Sequence, residues 1–141
     1  MDIPSDFHGA KAAILIGGRL LITLRDDVAW IDWPGFWDLP GGGREGNETP
    51  RETLAREVME EVGLDLAGAE WLWERVFPSG TRAGARSWFF VLSLPDAAER
   101  EIVLGDEGQA WRLVPPGAFL TMEGAVPFLQ DRLRTALAAM R

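Results

Sequence analysis

The sequence predicts a mixed α/β layer fold, rich in strand, with one central helix over about residues 50–62 and one C-terminal helix. Three observations carry that prediction. "KAAILIGGRLLITLRDD" sets two β-branched, leucine-rich runs around Gly17-Gly18, the pattern of a hairpin. "TPRETLAREVMEEVG" is punctuated as a helix at both ends: Thr49 as N-cap, Pro50 at the first helical position, Glu52 completing a capping box, Gly63 as the left-handed stop. From Val126 on, Phe128 or Leu129, Leu133, Leu137 and Met140 recur at helical spacing behind Pro127. Strand runs interrupted by isolated helices pack as mixed layers.

Taken in order, the opening "MDIPSDFHGAK" has neither a cationic start nor an apolar signal core. No run approaches the ~18–20 apolar residues that span a bilayer, so a cytoplasmic protein with no membrane association is expected. The 141 residues fit one domain, 1–141. After the hairpin, "DDVAWIDWPGFWDLPGGG" is broken by Pro34-Gly35 and Pro40, leaving at most a short strand at Phe36 to Leu39. "PGGGREGNET" is too glycine-rich for a strand and suits close approach of main-chain carbonyls or amides to a ligand. "EWLWERVFPSG", with Trp71 and Trp73 on a shared face, "RSWFFVLSLP" and "QAWRLVPP" read as further strands.

Composition excludes several functions. With 22 acidic and 14 basic residues and a net charge of −8, the chain has no basic footprint for a nucleic-acid polymer. A small anion would need local help from a metal or a few arginines. The absence of cysteine removes disulfides, thiolate nucleophiles and Cys-ligated zinc.

The central helix carries the chemistry. At 100° per residue Leu54, Ala55, Val58, Met59 and Val62 form one apolar arc, and Glu57, Glu60 and Glu61 occupy the adjoining arc. Like charges one turn apart cost roughly 0.2–0.5 kcal/mol per pair. The positions a turn either side of Glu57 are Thr53 and Glu61, with no base to offset this. Hard oxygens clustered in this way suit Mg2+ or Mn2+, whose charge cancels the repulsion.

Gly42-x5-Glu48-x7-Arg56-Glu57-Val58-x-Glu60-Glu61-x-Gly63-Leu64 resembles the complete signature of the Nudix hydrolases, and "GFWDLPGG" before it also resembles that family. The resemblance implies an α/β/α sandwich with a mixed sheet. It implies a metal-dependent hydrolase that cleaves the diphosphate of a nucleoside diphosphate linked to another moiety. By motif position, Glu57, Glu60 and Glu61 would bind the divalent ion and position or activate water, and the Gly41 carbonyl would be a further ligand. Arg56 and Glu48 would form a buried pair holding the loop to the helix. Glu107, in "GDEGQAW", sits where many members take one more carboxylate, with Asp106 adjacent; acidic residues in such a turn are otherwise simply solvated. Arg25 stands where members often place a phosphate-contacting arginine, and a solvated strand end is its plain reading.

Other candidates have plain readings too. Glu45 supports the metal shell indirectly or is a solvated loop carboxylate, and Arg75, Arg82 and Arg86 surround a turn from which they could reach a substrate, with surface charge the stronger reading for most of them. His8, the only histidine, reads as a surface residue. Trp33 and Trp37 are placed to line a pocket, with packing the stronger reading for Trp37. The runner-up function is a non-catalytic nucleotide-sensing module on the same fold, and the third is a simple divalent-cation binder. Exposed strands and tryptophans suit either a homodimer or a monomer.

Overall fold

The protein is described here from residue 6 to residue 141 by a computed structural model, so the first five residues of the N-terminal stretch lie outside the described residues. In chain order the elements are β1 (Gly9–Ile16), β2 (Arg19–Leu24), β3 (Trp37–Asp38), β4 (Gly41–Gly43), α1 (Pro50–Val62), β5 (Glu70–Pro78), β6 (Arg86–Leu94), β7 (Ala110–Val114), α2 (Pro116–Leu120) and α3 (Pro127–Ala139). Short 3-10 turns at Leu66–Gly68 and Asp96–Glu101, and the brief α2, carry no periodicity that a sequence reading would catch.

The strands form one mixed sheet in the order β3-β2-β1-β6-β5, with β7 on β2 and β4 on β1. Only β1 and β6 run parallel, and α1 lies in the crossover that parallel pairing demands. Alternation assigns the two faces. Ala10, Ala12, Ile14, Phe90 and Leu92 pack with Leu54, Val58 and Val62 of α1. Ala13, Ile22, Phe89 and Val91 pack with Leu129, Leu133 and Ala136 of α3. The result is an α/β/α sandwich, as expected. Each large side chain fully buried in it contributes roughly 1.5–3 kcal/mol.

The capping of α1 follows the sequence reading. The Thr49 side chain accepts from the Glu52 amide, the Glu52 side chain accepts from the Thr49 amide, and Gly63 closes the helix at φ 70°. Its rotation does not. The buried residues are Thr53, Leu54, Val58 and Val62, whereas Met59, assigned to the apolar arc, is 47% exposed. The helix is turned toward its glutamate edge, which brings Glu57 and Glu61 inward; the hydroxyl of Thr53 is satisfied by Glu48 at 3.1 Å.

Two further expectations are corrected. Gly41–Gly43 is a strand, not a loop, paired antiparallel with Gly9–Lys11. Lack of side chains permits it: a Cβ on Gly41, at φ 136°, would run into the Ala10 carbonyl, and one on Gly42 into the Glu57 carboxylate. Trp71 and Trp73 do not share a face. The register of β5 slips between them, pairing Trp71 with Leu92 and Trp73 with Val91. Trp71 therefore packs on Phe90 in the α1 layer and Trp73 by Phe77 in the α3 layer.

One departure from regular pairing makes room for a site. β1 pairs with β2 only at Leu15↔Leu20 and Ile16↔Arg19, and at its other end takes up β4. A cleft of about 570 Å3 is lined by the first residues of β1, the end of β2 and β4.

Candidate active site

At one end of the cleft stand Glu57 and Glu61 from α1, the strand Gly41–Gly43, and Glu107 from the loop before β7. Asp106 is not among the lining residues, so of the two adjacent acids Glu107 faces the cleft. The Glu57 carboxylate lies directly against the Gly42 main chain. Glu61 Oε1 accepts from the Gly41 amide at 3.4 Å. Burial pushes the Glu61 carboxyl up to about 8; the nearby Lys11 ammonium opposes the rise, and the negative charges of Asp38 and Glu57 reinforce it. Without a bound cation this carboxyl holds its proton at neutral pH.

Arg56 organises the outer side of α1. It donates to Glu48 at 2.7 Å, to Glu57 at 3.0 Å, and to the Gly43 carbonyl at 2.7 Å, and it pairs with Glu45 at 2.8 Å. Glu45 thus joins the loop to α1 through Arg56. The hydrogen bond from Arg56, aided by the Glu45 amide, lowers Glu48 to about 2. The expected pair is present but only partly buried: the Arg56 and Glu48 side chains are 23% and 20% exposed.

The three helix carboxylates do not converge. Glu60 is 57% exposed, pairs with Arg56 at 3.3 Å one turn back, and does not line the cleft. Arg56 is thus the offsetting base that the sequence reading overlooked by looking only a turn either side of Glu57. Among the described residues no group of three or more His, Cys, Asp or Glu is gathered to hold a metal. The donors that do face the cleft still suit a small hard cation. They are oxygens only, and Glu61 is a half-buried carboxylate with no charged donor within ion-pair distance among the described residues.

Lys11, Asp38 and Arg25 form the floor. Asp38 is buried; one oxygen takes Lys11 Nζ at 2.9 Å and Arg25 at 2.8 Å, and the other takes the Leu39 amide at 2.8 Å. Lys11 also donates to the carbonyls of Leu39 at 3.1 Å and Gly41 at 3.2 Å, which accounts for its three N–H groups. It is a pin, and it holds the carbonyl expected to be a metal ligand. Arg25 lines the cleft but is not a free strand end, since its Nε donates to the Asp32 carbonyl at 2.8 Å. Sequence reasoning missed Lys11 and Asp38. The signal was there: the chain's sole lysine interrupts an apolar strand, and an acid precedes the glycine run.

The cleft is lined as well by His8, Ser79, Ser87, Phe128 and Arg132. His8, expected on the surface, is half-buried, with its Nε2 2.6 Å from Ser79 Oγ, and burial lowers its pKa. Trp33, at φ 52° and edge-on to Phe36 at 5.1 Å, lines the cleft as expected; Trp30, 83% exposed, stands at the rim. Trp37 packs in the α3 layer under Arg112, in keeping with its packing role. Around the turn, Arg75 lies over Trp73, while Arg86 pairs with Asp6.

Comparison with known proteins adds a family. A family model described as "NUDIX domain" matches residues 6–134. "Nucleoside triphosphatase NudI" of Escherichia coli is 33% identical over 107 residues, 71% of this chain and 74% of that protein. A Mycobacterium tuberculosis protein, whose name gives 8-oxo-dGTP diphosphatase 3 as a provisional assignment, is 32% identical over 126 residues, 87% of this chain. The chain spans 58% of that relative's length, and a 32-residue match spans 29% of an 8-oxo-dGTP diphosphatase from Proteus vulgaris. A mutT/nudix family protein from Listeria innocua shares the fold at a TM-score of 0.74, with 20% identity over 98% of this chain and 95% of that one.

Proposed function

Because this chain belongs to the Nudix family, we propose that it is a metal-dependent hydrolase cleaving the diphosphate linkage of a nucleoside diphosphate joined to another moiety. The observation that carries this is the meeting of Glu57, Glu61, Glu107 and the Gly41–Gly43 strand in one cleft of about 570 Å3, within the size range of small-molecule sites. The whole chain is read as one domain, acting in the cytoplasm on small nucleotides and not on polymers. Nucleoside triphosphates, 8-oxo-dGTP among them, are the substrates to test first, given the names of the relatives.

In this reading Glu57 and Glu61 hold Mg2+ or Mn2+ with the Gly41 carbonyl, and Glu60 adds to them on leaving Arg56. The ion, when bound, neutralises the diphosphate and lowers the pKa of an attacking water. Glu107, which lines the same cleft, would complete the shell of the ion or accept the proton of that water at its carboxylate. Arg25, fixed by Asp38, presents its remaining N–H groups to phosphate oxygens. Arg56 and Glu48 keep the loop on α1.

A non-catalytic nucleotide-sensing module is the second reading. It is favoured by the engagement of Glu60 by Arg56 and of the Gly41 carbonyl by Lys11. A panel of nucleotides assayed for phosphate or pyrophosphate release separates the two. Turnover that requires Mg2+ or Mn2+ and stops with excess chelator supports the hydrolase. Full activity in chelator, or nucleotide binding with no turnover on any member, overturns it.

A further inference from the structure

Arg132 is out of place for a charged residue. It lies on α3 facing the sheet and is 4% exposed. Its guanidinium donates to Ser87 Oγ at 2.9 Å and to the Pro78 carbonyl at 2.9 Å, and it rests on the rings of Phe128 at 4.8 Å and Phe77 at 5.2 Å. Among the described residues no carboxylate lies within ion-pair distance, and every partner just named is neutral. The His8 imidazole is disfavoured as a cation by burial first and then by the charges of Arg82 and Arg132. A buried charge without a counter-ion is costly unless something else pairs with it.

Arg132 also lines the cleft, and it comes from α3, the helix of the layer opposite to that of α1 with Glu57 and Glu61. Ser87 and Pro78 fix the plane of the guanidinium from behind, and Phe128 packs between it and Gly80. A guanidinium carries only donors, so its unused N–H groups can take oxygen or ring-nitrogen acceptors and cannot accept from an amino group.

Building on the hydrolase reading, we infer that Arg132 is a specificity-determining residue. It selects substrates whose moiety remote from the diphosphate presents an oxygen acceptor, either a base carbonyl or an anionic group, over those presenting an amino or neutral group there. Planar guanidinium recognition of adjacent acceptors discriminates strongly, because the wrong partner leaves a buried donor unpaired.

Two matched pairs separate the sources of the acceptor. Inosine and adenosine nucleotides differ by a carbonyl against an amine on the base. UDP-glucuronate and UDP-glucose differ by a carboxylate against a hydroxymethyl group on the sugar. Affinity is measured by calorimetry with IMP, AMP and the two UDP-sugars, and kcat/KM with ITP, ATP and the same sugars. The expected result is at least a tenfold preference for the acceptor-bearing member of one pair, reduced to less than about threefold in Arg132→Met. If inosine is the preferred partner the site reads a base; if glucuronate, an anion. Arg132→Lys, which keeps the charge without the planar fork, is the fallback should Arg132→Met not fold, and loses most of the preference. A binding preference without turnover leaves this inference standing and removes the hydrolase reading. Equal affinity within both pairs, preference for the amino or neutral members, no binding of any of them, or a preference that survives in a folded Arg132 variant overturns it.

Discussion

The two helices that sandwich the sheet have the same length, 13 residues, and both begin at proline, but they are held in opposite ways. α1 is fixed from within its own sequence by the Thr49–Glu52 capping box and the Gly63 stop. α3 has no side-chain cap at its start, and it is held to the sheet by the packing of Leu129, Leu133 and Ala136 and by the hydrogen bonds of Arg132. Their charges differ in the same sense. Arg56 on α1 is surrounded by Glu45, Glu48, Glu57 and Glu60, whereas Arg132 on α3 meets only neutral groups. A helix specified locally can tolerate carboxylates crowded along its inner edge. A helix specified by packing can bury an arginine only where the sheet supplies acceptors.

The contrast is tested most severely at Glu61. Glu61→Gln removes the half-buried carboxylate of α1 and is expected to lower kcat by about 10²–10⁴-fold. The metal-free protein should keep its fold and, near neutral pH, a melting temperature close to that of the wild type, since the Glu61 carboxyl already holds its proton there. Unfolding with unchanged specific activity in the folded fraction would show Glu61 to be structural.

Next in size, Leu133→Ala on α3 should cost roughly 2–5 kcal/mol by denaturant unfolding. Thr49→Ala, which deletes the cap of α1, should cost only ~0.5–2 kcal/mol. Equal losses at the two sites would erase the distinction between a packed helix and a capped one.

Acid titration sharpens it further. The Glu61 carboxyl rises from its ordinary 4.5 to about 8 on folding, so the folded chain binds that proton more tightly. Its contribution is complete below 4.5 and is lost as pH climbs through about 8. Glu48, lowered from 4.5 to about 2, has the opposite sign: its contribution is present above 4.5 and lost as pH falls toward about 2. In chelator, wild-type stability should therefore fall across the range from about 5 to 8, and Glu61→Gln should flatten that slope. Parallel slopes in the two proteins would remove Glu61 from the account.

The smallest effect is expected across the cleft. Glu107→Gln should lower kcat by roughly tenfold and shift the pH profile at saturating Mg2+, with Asp106→Asn as its control. Loss in Asp106→Asn with none in Glu107→Gln would move the assignment by one residue.

What could be read in advance follows the same division. α1, its caps and the positions of Glu48, Arg56, Glu57 and Glu61 were legible because caps and motif spacing are local signals. The strand at Gly41–Gly43 was not, since its pairing with Gly9–Lys11 rests on a close backbone approach that no local propensity encodes. The slip at Trp71 and Trp73 is set by the partner strand. The rotation of α1 that exposes Met59 depends on what the sheet offers to Glu61. Arg132 was lost among the arginines, since only the fold reveals which of them lacks a counter-ion.

The parallel pairing of β1 with β6 has a consequence for how the chain is made. Gly9↔Ser87 through Ile16↔Leu94 are each joined across the whole of α1 and β5. The apolar "AAILI" of β1 is made well before β6 and cannot be covered on both edges until Leu94 has been synthesised. Nucleation must close that long loop before any contact rewards it, which places refolding on the order of milliseconds to seconds. The strand that stays open longest is thus, in the finished protein, among the most deeply buried.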